Sequence, residues 1–221
     1  EGGYFSLSDI LNAGTQDFPF SREGIRSAAF AESQWKPNKQ IAIRAGMRVE
    51  QDGLIEEIAF APRFSAAIRA HKDAQFSLAY GKYYQSPAAD WLRITTDLAF
   101  EEAEHFILNY QWQGNNQIFR VEGYYKKYQN LVLFDRESPY DPSGFSNEGE
   151  GYARGVDIFW RDRKTFNNGE YWVSYSFLDT ERQYRDFPEK AIPAFASKHN
   201  ISVVGKYFLN EWDSQIGLSY N

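Results

Sequence analysis

Apolar and polar side chains alternate with a period of two, in segments of roughly ten residues, from one end of this chain to the other. Phe106, Leu108, Tyr110 and Trp112 share one parity, against His105, Ile107, Asn109 and Gln111. Phe119, Val121 and Tyr125 oppose Arg120, Glu122, Tyr124 and Lys126, and Ile41, Ile43, Ala45, Met47 and Val49 oppose Arg44, Arg48 and Glu50. Successive side chains on a strand point to opposite faces, so each such segment is a strand with one apolar and one polar face. Helical periodicity is almost absent. About ten strands are expected, most of them longer than is usual in globular proteins. They lie near 24–36, 39–51, 61–70, 74–84, 101–113, 117–131, 151–163, 169–181, 199–209 and 212–221.

The connections carry a second pattern. Short turns rich in Gly, Asn, Asp and Pro are expected at 37–39, 71–73, 114–116, 167–169 and 209–211. Between them stand longer loops near 52–60, 85–100, 132–150 and 182–198. Short and long connections alternate, so all tight turns fall on one rim of the sheet and all long loops on the other. Outer-membrane barrels are organised in this way.

Aromatic residues, 18% of the chain, supply the third pattern. Trp35, Trp112, Tyr171 and Trp212, with Phe76 and Trp160 close by, stand beside short turns with the parity of the apolar face. That is where an aromatic girdle meets a membrane interface, and a soluble barrel has no physical reason to repeat it. The other parity carries Arg44, Arg48, Arg63, Arg69, Arg120, Glu122, Asp157 and Arg161 and is expected to face a lumen. Lys82 and Arg154 break the apolar face near the long-loop rim, where long side chains can snorkel.

The net charge of -6, without a basic stripe, argues against nucleic-acid binding. With no cysteine, neither a disulfide frame nor a cysteine zinc site is possible. No apolar run approaches the roughly 18 residues of a spanning helix, which leaves strands as the way across a membrane. The opening Glu1-Gly2-Gly3-Tyr4 has neither an initiator Met nor a signal segment, so the chain is expected to begin inside something longer. His71, His105 and His199 are solitary, and no metal-binding or nucleophile motif is present. Glu56-Glu57 and Glu101-Glu102 are sequence neighbours that point to opposite faces of a strand, so neither pair can act as a carboxylate dyad. The acidic loop 135–150 is read as solvated rather than calcium-binding. No cofactor and no enzymatic activity are expected.

Ala61-Pro62-Arg63-Phe64-Ser65, followed by Phe76 to Pro87 with its Tyr80-Gly81-Lys82-Tyr83-Tyr84-Gln85-Ser86-Pro87 ending, resembles TonB-dependent outer-membrane receptors. Glu101 to Tyr110, Glu122-Gly123-Tyr124-Tyr125-Lys126-Lys127-Tyr128, Gly155-Val156-Asp157 before Tyr171 to Ser176, and Pro193 to Asn200 are similar to later pieces of that family. The resemblance runs from about residue 24 to the end. It implies an all-β, antiparallel transmembrane β-barrel, with about ten strands here out of roughly 22. Residues 1–221 would then be part of the barrel domain, with the plug domain, the first strands and the last strands outside the sequence. An open sheet of this size cannot stand alone in lipid, because its edges would leave backbone groups unpaired.

By the same resemblance, the intact protein sits in the bacterial outer membrane and imports a scarce nutrient such as a ferric siderophore, cobalamin or an oligosaccharide. Its partners would be outer-membrane lipid, its own plug, TonB and a small-molecule or metal-chelate ligand. Tyr83, Gln85, Trp91, Arg93, Tyr140, Arg182, Tyr184, Arg185 and Phe195 are the expected ligand-binding residues at the long-loop rim. Arg48, Arg63, Glu101 and His105 are expected to face the lumen or plug. The alternatives are a passive channel or structural barrel without TonB coupling, and a soluble β-sheet binding protein.

Overall fold

The computed structural model describes residues 2–6 and 23–221, with residues 2–6 and 23 described as backbone only. They form one 11-stranded antiparallel sheet in which every strand pairs with its neighbours in sequence. The strands are β1 (Gly2–Ser6), β2 (Glu23–Trp35), β3 (Ile41–Asp52), β4 (Glu57–His71), β5 (Ala74–Gln85), β6 (Glu101–Gly114), β7 (Gln117–Leu133), β8 (Ser146–Asp162), β9 (Gly169–Arg182), β10 (His199–Leu209) and β11 (Ser214–Tyr220). Among the described residues no helix is long and apolar enough to cross a membrane.

Register carries the sequence parity across the whole sheet. Phe76 pairs with Tyr110, Tyr110 with Val121, Val121 with Ile158, Ile158 with Tyr175 and Tyr175 with Ile201. A slip of one residue would reverse every one of these faces. The apolar face is the exposed one: Phe60, Leu108, Ile201 and Leu218 are all open. A soluble sheet would bury these groups against a second layer. The strongly buried apolar cluster lies elsewhere, at one rim, around Leu54, Ile55, Leu92, Leu98, Phe100 and Val132.

Near the tight turns the apolar face carries a continuous row of rings. Phe76 and Tyr110 lie 4.7 Å apart, Tyr110 and Phe119 6.3 Å, and Phe119 and Trp160 6.3 Å. Trp160 Nε1 then donates to Tyr171 Oη at 3.4 Å. Trp112 pairs with Phe119 in register, Trp35 is exposed at the end of β2, and Trp212 is exposed in the 3₁₀ turn Asn210–Trp212 rather than in a strand.

Several expectations change. The loop expected over 52–60 is a tight turn at 53–56, because β4 begins at Glu57. Asp52 makes the turn possible: its Oδ1 accepts the Leu54 N–H at 2.9 Å, and Leu54 and Ile55 then fold inward. The loop over 85–100 contains a short helix, α1 (Ala89–Ile94), which buries Leu92. Lys82 and Arg154 form lateral ion pairs, with Glu102 at 2.7 Å and Asp179 at 2.8 Å, where snorkelling was expected. The loop expected over 132–150 shortens to 134–145, because β8 begins at Ser146, and β1 is an additional strand for which the sequence reading made no provision.

Candidate functional site

The polar face is a cation-rich wall. Arg48 pairs with Glu50, while Arg26 Nε donates to the buried Asp52 at 2.8 Å and Arg161 Nη2 donates to Glu170 at 2.6 Å. Other cations rest on rings instead. The Arg63 guanidinium lies 4.9 Å from the Tyr83 centroid, and the His105 ring lies 4.6 Å from the same ring. Tyr83 reaches both because it leans over Gly81, where any side chain would stand in its way.

At the long-loop rim the connections fold down onto the strand ends. Asp52 ties the β3–β4 turn to the next connection, because Ser86 Oγ donates to its Oδ2 at 2.5 Å. Glu57 accepts the Phe100 N–H at 3.0 Å, and Glu101 accepts the Val132 N–H at 3.2 Å. Asn147 Oδ1 accepts the Ala99 N–H at 2.7 Å, and its amide donates to the carbonyls of Ala99 and Asn130. With Leu92 buried beneath it, α1 is held in place and Trp91 is fixed over the strand ends.

These constraints shape an open cavity of about 360 Å³. Tyr83 and Gln85 from the end of β5, Glu101 from β6, Trp91 from α1, and Arg182, Tyr184 and Arg185 from the end of β9 all line it. Arg182 lies over the Tyr128 ring at 4.0 Å and 5.7 Å from the exposed Phe195 ring, and its Nε is buried with no hydrogen-bond partner among the described residues. Arg185 adopts a left-handed backbone (φ 58°), and its N–H donates to the Val132 carbonyl at 2.6 Å. Glu102, on the opposite face of β6, turns to Lys82.

A second cavity of about 260 Å³ shares Trp91 and is lined by Phe134, Pro139, Tyr140 and Phe145. Arg93 lines neither cavity: its side chain is only 13% exposed and pairs with Asp90 at 3.2 Å. Tyr128 escaped the sequence reading although its parity, shared with Tyr124, puts it on the polar face. Phe134 and Phe145 lie outside the strands, where no periodicity marks them, yet they stack at 5.6 Å.

Loop carboxylates mostly serve as turn caps. Asp141 accepts from the backbone N–H and hydroxyl of Ser143, which holds its carboxyl below the usual range. Lys190 donates to Glu150 at 2.6 Å, and this hydrogen bond raises the lysine above its ordinary value. Among the described residues no group of three or more His, Cys, Asp or Glu could hold a metal ion.

A family described as "TonB dependent receptor-like, beta-barrel" matches residues 2–221. No curated protein matches. Among solved structures, the FrpB iron transporter from Neisseria meningitidis (F3-3 variant) superposes with a TM-score of 0.71 at 12% identity, over 88% of this chain and 31% of that one. The outer membrane transporter YddB from Escherichia coli gives 0.70 at 11% identity, over 87% and 32%. The ferric-catecholate import receptor Fiu from E. coli K12 gives 0.67 at 11% identity, over 86% and 33%. The chain thus spans about a third of the length of these solved structures. At such identities they speak to the fold alone.

Proposed function

This chain belongs to the TonB-dependent receptor-like β-barrel family, and from that premise we propose that it forms part of the wall and outer loops of a receptor for TonB-dependent uptake of a scarce nutrient. Members of this family are transporters of the bacterial outer membrane, not enzymes. The apolar face with its row of rings meets lipid. Trp35, Trp112, Tyr171 and Trp212 sit at the periplasmic interface, and the long-loop rim faces the outside. The polar face lines the lumen, where Arg48, Arg63, Glu101 and His105 contact the plug.

The observation that carries the reading is the cavity at the long-loop rim, built from groups brought together from five separate parts of the chain. A convergent set of aromatic rings and guanidiniums, part of it desolvated, is suited to a planar or anionic small molecule. The named activities of the superposable transporters, iron and ferric-catecholate import among them, support a metal chelate as cargo.

The test is uptake by the intact receptor in cells lacking their own iron receptors. A panel of radiolabelled ferric siderophores, cobalamin and oligosaccharides is supplied with TonB present or deleted. Accumulation of one cargo class that stops without TonB supports the reading. Accumulation that persists without TonB would make the protein a passive channel.

A further inference from the structure

The two cavities at the long-loop rim have opposite chemistry and a common wall. The larger holds Arg182 and Arg185 against one inward carboxylate, Glu101, whose oxygen is engaged by the Val132 N–H. The other carboxylate at its edge, Glu102, is neutralised by Lys82. A positive excess therefore remains inside. Two guanidiniums in excess of free carboxylate suit an anionic oxygen, which they bind through charge-assisted hydrogen bonds.

The smaller cavity has no cation. Its walls are Trp91, Ile94, Phe134, Pro139, Tyr140 and Phe145, and its one charged group, Asp90, is already paired with Arg93. Trp91 belongs to both cavities, and its ring lies 6.2 Å from that of Phe134. An anion has no partner in the second space, and an apolar group has every reason to enter it. Each volume is near or below the lower end of what drug-sized ligands occupy, so a ligand of ordinary size would extend from one into the other.

We infer that the loop-rim site takes an amphiphilic anion, with an acidic head held at Arg182 and Arg185 and an aromatic or aliphatic group carried past Trp91 into the Phe134–Tyr140–Phe145 pocket. This rests on the reading of the larger cavity as the ligand site and adds the class of ligand. A compact, uniformly hydrophilic cargo would leave the second pocket unused.

The experiment measures binding to the detergent-solubilised intact receptor by titration calorimetry, with benzoate and biphenyl-4-carboxylate as probes. Biphenyl-4-carboxylate is expected to bind at least about tenfold more tightly than benzoate, since burying a second ring is worth that much or more. Tyr140→Ala should shrink the advantage of biphenyl-4-carboxylate over benzoate; Tyr140 is exposed, so the variant folds. Arg182→Gln should weaken both acids together. Equal affinities for the two acids, or a difference that Tyr140→Ala leaves at its full size, overturn the amphiphile assignment and leave the receptor reading intact. If neither acid binds, or Arg182→Gln changes nothing, the larger cavity is not an anion site and both inferences fall.

Discussion

Arg182 reaches the Tyr128 ring, 4.0 Å away, across an intervening strand, because the residue between them is Gly151. Tyr128 pairs with Gly151 on one side, and Arg182 pairs with Gly151 on the other. A Cβ at Gly151 would stand 2.8 Å from Arg182 Cγ and 2.6 Å from the Glu181 carbonyl oxygen. The glycine is a notch through which the guanidinium crosses into the cavity. A cation on a desolvated ring gains about 1–2 kcal/mol, enough to fix its position.

Gly151→Ala is therefore expected to displace Arg182 and to weaken binding of an anionic ligand by about tenfold, the equivalent of about 1.4 kcal/mol. Overpacking against backbone should cost a further ~1–3 kcal/mol of stability. Calorimetric titration and thermal unfolding of the same variant separate the two effects. Unchanged affinity would show that the notch does not position Arg182.

Asp52 is 1% exposed and holds Arg26, Ser86 and the Leu54 N–H at once. Asp52→Asn keeps the size but removes the charge from the guanidinium and one acceptor from the network. A loss of about 1–3 kcal/mol is expected, local to the rim. Hydrogen exchange should show faster opening of residues 53–56 and of α1, with the middle of β6 and β7 unaffected. Uniform acceleration across the sheet would mean that the network is not local.

The face assignment predicts an asymmetry between neighbouring residues. Leu108 lies on the apolar face at the middle of β6, and Asn109 on the polar face beside it. Leu108→Arg should destabilise the folded barrel by roughly 2–4 kcal/mol, as a cation at the bilayer midplane does, and Asn109→Arg by much less. The folded fraction in a urea titration, read by gel mobility without heating, measures both. The reverse order would place lipid on the other face.

Asp141 gives a pH dependence with a definite sign. Its carboxyl is held below its ordinary value of 3.8 by the Ser143 N–H and hydroxyl. The folded pKa is depressed, so the cap is fully present above the ordinary value and is lost as pH falls through the lower, folded one. Exchange of the Ser143 amide should stay slow above about pH 4 and lose its protection only below that. Asp141→Asn should flatten the profile. A wild-type profile centred well above pH 4 would contradict the cap.

Much of the sheet was legible in the sequence. Strand positions, the apolar and polar faces, and the aromatic row from Phe76 to Tyr171 follow from period-two alternation, since backbone geometry enforces that rule on every strand. The rim was less legible. Residues 52–60 looked like a loop because Gly53 and the acids around it carry no alternation, while the structure closes them into a turn on the Asp52 side chain. Capping of this kind involves few atoms and leaves only a weak sequence mark.

The sequence alone determined that this chain forms long antiparallel strands with one lipid-like face, because the information is local and repeated along each strand. Only the tertiary structure decided that Tyr83, Trp91, Tyr128 and Arg182 meet, because they come from different strands and loops and their approach depends on register, on the Gly151 notch and on the buried cluster beneath α1. Contacts between residues far apart in the chain are fixed by packing and hydrogen bonds that no single segment encodes.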